Sequence, residues 1–87
     1  MLASAIAERG CFMKTIHVNG EPFQVIPLRG RGVEPGDVVG QRFGRRVYRV
    51  LCTDGDDFIL RNVRNESIVI ALTQREVVEE FGLVKPI

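Results

Sequence analysis

Eighty-seven residues, 45% apolar and 26% charged, with a net charge of +1, suit one small soluble domain and leave no room for a substrate domain beside a cofactor domain. No apolar run approaches the ~20 residues of a membrane-spanning helix, so no membrane partner is expected. Two cysteines, Cys11 and Cys52, with no CxxC pair and no histidine at ligand spacing, exclude a disulfide framework and a zinc site. Reduced thiols in a cytoplasm are the simplest reading.

The net charge hides a segregation along the chain. Residues 29 to 49 carry six arginines, Arg29, Arg31, Arg42, Arg45, Arg46 and Arg49, against Glu34 and Asp37. Residues 54 to 80 carry seven carboxylates against Arg61, Arg64 and Arg75. The local balances, +4 and −4, suit attraction to a partner or to a second copy of the chain.

In chain order, residues 1–12 read as an extension. Glu8-Arg9 breaks any signal-peptide stretch, while Leu2 and Ile6 on one face and Gly10 at the end predict a short helix from Leu2 to Arg9. Residues 13–87 form the domain proper. Asn19-Gly20 is the preferred type I′ pair and predicts a hairpin of Lys14 to Val18 with Glu21 to Ile26, Ile16 opposite Phe23 and Lys14 opposite Val25. Pro22 falls opposite His17 and marks the outer side of its strand as an edge or a break. From Pro27 to Gly44 the chain is a glycine-rich connection with a Glu34-Pro35-Gly36 turn and a short strand at Asp37 to Val39.

Val47 to Cys52 and Phe58 to Val63 predict a second hairpin about Gly55. A three-residue loop sets Val50 opposite Phe58 and Tyr48 opposite Leu60, which gathers Tyr48, Val50, Cys52, Phe58 and Leu60 on one face. Ile68 to Leu72 is apolar without alternation, the pattern of an interior strand covered on both faces. Thr73 stands three residues before Glu76, the capping-box spacing, and Gly82 stands where a left-handed residue ends a helix, so Thr73 to Phe81 reads as helix burying Val77, Val78 and Phe81. The whole is an α+β domain: a small bent antiparallel sheet or partly closed barrel of about five strands with a short C-terminal helix. The strand order resembles SH3-like small barrels in pattern, with no family signature in the residues.

Chemistry-bearing motifs are sparse. The glycines at 30, 32, 36, 40 and 44 lack a P-loop or dinucleotide context and read as loop. Asp54, Asp56 and Asp57 lack the closing Glu of a calcium loop and read as turn residues. His17, the single histidine, has no nucleophile or carboxylate placed beside it, so an enzyme is not expected and no catalytic, cofactor or metal site is assigned. Cys52 reads as a small apolar core residue.

Arg42, Phe43, Arg45, Arg46 and Arg49 stand out, guanidinium groups for phosphates with rings for stacking, although Phe43 and Tyr48 also fit a core beside a solvated turn. The expected function is a non-enzymatic interaction module that meets an acidic partner, nucleic acid or protein, through these residues. The alternative is a homo-oligomer, most simply a dimer, structural or binding a small molecule, with an interface on the edge strand Glu21 to Ile26 and the amino-terminal segment.

Overall fold

The computed structural model describes residues 14–28 and 32–87; the expected Leu2 to Arg9 helix and Cys11 lie outside them. Asn19 and Gly20 take φ of 54° and 82°, as a type I′ turn requires, and join β1 (Lys14–Val18) to β2 (Glu21–Pro27) in the expected register. A turn at Pro35-Gly36, with Gly36 at φ 97°, leads into β3 (Val38–Gln41). There follow β4 (Val47–Asp54), β5 (Asp57–Asn62), β6 (Val69–Thr73), α1 (Gln74–Glu80) and β7 (Phe81–Pro86).

The strands form one curled antiparallel sheet, a half-barrel in the order β1-β2-β7-β3-β4-β5-β6. Among the described residues seven strands replace the expected five or so, and the unforeseen one, β7, lies inside the sheet between β2 and β3. Its first residue, Phe81, is the one expected to end the helix. In the structure Phe81 closes α1 with extended angles, φ −127° and ψ 160°, its N–H donating to the Val77 carbonyl. The chain therefore passes from helix to strand with no left-handed residue, and Gly82 belongs to β7. The helix start is as the spacing predicts: Thr73 Oγ1 accepts from the Glu76 N–H at 3.2 Å and Glu76 Oε1 accepts from the Thr73 N–H at 2.9 Å.

Three further expectations are corrected. The β4–β5 turn has two central residues, Gly55 and Asp56, because Asp54 pairs with Asp57; Thr53 then faces Phe58, Cys52 faces Ile59 and Val50 faces Leu60. Leu51 is an extra residue on β4, a bulge that turns the strand over beyond it. Tyr48, Val50, Phe58 and Leu60 keep a common face, but Cys52 is carried to the opposite one as an exposed free thiol. Next, β6 is not an interior strand; it is the last of the sheet, Ile70 and Leu72 packing on the core while Val69 is 48% exposed. The helix covers one face only, so an all-apolar strand can still have a bare side. Finally, Glu21 to Ile26 is not an edge, since β2 lies between β1 and β7. Pro22 is harmless because the β2–β7 ladder begins only at Phe23.

Alternation gives the sheet two unlike faces. Val39, Tyr48, Val50, Leu60, Phe81 and Leu83 point to the side closed by Val77 of α1 and form the main core. Val25 and Val47, buried, point to the other side, where Gly40 and Gly82 face each other without side chains. Over these glycines the β1–β2 hairpin folds back, bringing Ile16 and Val25 against Gly40. Laid flat, β1 and β5 would be five spacings or about 24 Å apart. In the curled sheet Arg64, just after β5, donates to the carbonyl of His17 on β1 at 2.8 Å.

Candidate functional site

The segment between β3 and β4, Arg42 to Arg46, is held at both ends and in the middle. Gln41 donates its N–H to the Arg46 carbonyl at 2.9 Å, and Arg46 donates back to Gln41 Oε1 at 3.1 Å. Lys14 Nζ donates to the Gly44 carbonyl at 2.6 Å, Arg64 Nη1 to the Arg45 carbonyl at 3.0 Å, and Arg42 N–H to the Glu80 carbonyl at 2.8 Å. Four elements therefore fix the loop's backbone while its side chains stand outward, a pre-organisation that lowers the entropy lost on binding.

At its tip Phe43 is 91% exposed, and Arg42 lies over the ring with its guanidinium carbon 5.6 Å from the centroid. Arg45 and Arg46 are exposed beside it. Phe43 is thus not a core residue, whereas Tyr48 is, 2% exposed and edge-to-face with Phe81 at 5.7 Å.

Arg49, grouped by sequence with the loop, stands outside it as a strand residue. It lies on β4 directly opposite Arg61 of β5, on the sheet face away from α1. Among the described residues neither guanidinium has an ion pair or a side-chain hydrogen bond. Both line a groove of about 570 Å³ whose walls are Phe23, Val38, Val47, Leu51, Val63 and Val84, with Glu21 and Glu66 also on its lining. Arg61 and the groove escaped the sequence reading because the expected β4–β5 register did not set Arg61 opposite Arg49.

Arg64 was also missed. Its two carbonyl bonds draw the β1–β2 hairpin and the basic loop together, and Asn62, 7% exposed, shapes the turn that aims it. Asn62 Oδ1 accepts the N–H groups of both Arg64 and Asn65, at 2.8 and 3.0 Å. An asparagine followed two residues later by a polar turn was the available signal.

His17 stands exposed on β1. No cluster of His, Cys, Asp or Glu able to hold a metal occurs among the described residues, and no helix among them is long and apolar enough to cross a membrane. Comparison with protein-family models, with curated proteins and with solved structures finds no match to the chain.

Proposed function

We propose that the chain is a non-enzymatic interaction module whose basic loop, Arg42, Phe43, Arg45 and Arg46, meets an acidic partner. The observation that carries this is Phe43, 91% exposed at the tip of a loop pinned by backbone hydrogen bonds. An aromatic ring costs free energy to keep in water, and this one is surrounded by guanidinium groups, the combination that stacks a base while neutralising phosphates. Single-stranded nucleic acid suits the pair better than a folded acidic protein, since every base offers a π-face.

Binding is weak and insensitive to sequence, because the acidic 54–80 region lies on the same small domain and opposes a polyanion. Three phosphate contacts give a log-affinity against log-salt slope of roughly −2 for a single strand. Fluorescence anisotropy with a labelled oligonucleotide at two salt concentrations is the test. Phe43→Ala is expected to weaken a single strand about tenfold, as removal of one stacking platform does, and Arg45→Ala with Arg46→Ala to flatten the slope. Binding that ignores both variants and the salt would remove the loop from the function.

A second reading, a homo-oligomer, has its own observation. Among the described residues β6 is an edge strand without charge, proline or bulge, and Ile68 just before it and Val69 at its start are 36% and 48% exposed; such an edge pairs readily with another strand. This reading puts the interface on β6, since β2 is not an edge. Sedimentation should show a two-fold dimer that Val69→Lys converts to monomer. A monomer at about 100 μM, where even weak specific interfaces largely form, would dismiss it.

A further inference from the structure

We propose that the groove between the β1–β2 hairpin and strands β4 and β5 binds a small amphipathic anion. Its oxyanion head, carboxylate or phosphate, sits between Arg49 and Arg61, and its apolar body lies along Val38, Val47, Leu51 and Val84. This site is independent of the basic loop and stands or falls without it.

Arg49 and Arg61 are register partners on adjacent antiparallel strands, and like charges directly opposite one another destabilise a sheet. Neither is neutralised by an ion pair among the described residues. A fork-shaped donor matches an oxyanion in two parallel hydrogen bonds, and two such forks side by side suit one head group from both flanks. An anion placed there converts a repulsive pair into an attractive triple.

Seven of the lining residues, Phe23, Val38, Val47, Leu51, Val63 and Val84 among them, are apolar, and the volume of about 570 Å³ falls within the range of small-molecule sites. The side chains of Val38 and Val84 point to the face on which the two arginines stand, so an alkyl or aryl body attached to the head runs straight onto apolar surface.

Glu21 and Glu66, also on the lining, set the limit on what enters. They add negative charge to the same groove, so a ligand with one anionic end is accepted while a chain charged at both ends or a nucleic-acid strand along the groove meets repulsion.

Proton–nitrogen NMR titration of the full chain with octanoate and octyl phosphate, beside octanol and octylamine of equal tail length, tests the assignment. The two anions should shift the amides of Val38, Val47, Arg49, Leu51, Arg61 and Val84. Octanol should bind roughly tenfold more weakly, a loss of about 1.4 kcal/mol, and octylamine more weakly still. Arg49→Gln with Arg61→Gln, at exposed positions where the fold loses only a repulsion, should bring octanoate down to the level of octanol. Leu51→Trp, which fills the groove and keeps both arginines, should abolish the shifts.

Equal binding of octanoate and octanol would overturn the proposal. So would shifts confined to Arg42 to Arg46, or no shift up to roughly 10 mM, where any specific interaction is worth less than about 3 kcal/mol. The first of these leaves an apolar groove without anion selectivity; the second returns the anion to the basic loop.

Discussion

Phe81→Ala is expected to leave little folded protein at room temperature. Phe81 is 2% exposed, packs its ring edge-to-face on Tyr48 at 5.7 Å, and stands where α1 passes directly into the interior strand β7. Truncating a buried phenylalanine removes its transfer free energy and leaves a cavity, together about 3–5 kcal/mol. The cavity would open between β7, the Tyr48 ring on β4 and the buried Val77 of α1, so helix and sheet lose their common anchor. Small domains hold only about 5–15 kcal/mol in all, and one of 87 residues lies toward the bottom of that range. Far-ultraviolet circular dichroism and a urea titration check it. A midpoint within about 1 kcal/mol of the parent would show that the ring is not the junction of the core.

What was legible in the sequence was local. Asn19-Gly20 fixed a turn, a register and two faces, because positive φ at two successive residues is nearly confined to such pairs. Thr73 and Glu76 announced a capping box for the same reason: both partners lie within one helical turn. The failures beyond the β4–β5 turn are non-local. Gly82 has two physical uses, a left-handed helix end or a strand position with no space for a side chain. Only the approach of β2, more than fifty residues earlier, decides between them.

The bulge at Leu51 is likewise invisible along the chain. It follows from matching β4 to β5 under the helix, and its consequences reach the site. It turns Cys52 outward, and below it the register sets Arg49 against Arg61. The loop from Arg42 to Arg46 is one feature, and Arg49, on β4 opposite Arg61, belongs to another. From sequence alone Phe43 fits a core as well as a surface, since phenylalanine is among the residues most often buried. Its place beyond the end of β3, in a turn pinned from four sides, keeps it out.

Gly82→Ala is expected to destabilise the fold by about 3 kcal/mol, the upper part of the usual range for overpacking, while Gly40→Ala is expected to be nearly neutral. The two glycines are register partners on β7 and β3, facing the same side of the sheet, so strand propensity treats them alike. It would favour alanine at both by roughly 0.5–1 kcal/mol, since glycine loses more backbone freedom on folding. What separates them is the neighbour a methyl group would meet. At Gly82 it would lie 2.5 Å from the Ile26 carbonyl oxygen and 2.7 Å from Val25 Cγ1. The oxygen belongs to the backbone of β2 and can withdraw only if the β2–β7 ladder opens. At Gly40 the nearest atoms are methyl carbons of Val84, Val25 and Ile16 at 3.3, 3.4 and 3.7 Å, ends of side chains that give by a few tenths of an ångström. Clash therefore exceeds propensity at Gly82 and balances it at Gly40. Urea midpoints of the two variants, taken with the slope held common, decide the matter. Equal midpoints would mean that β2 does not approach β7 as closely as the fold requires, and that the glycine after α1 serves the end of the helix after all.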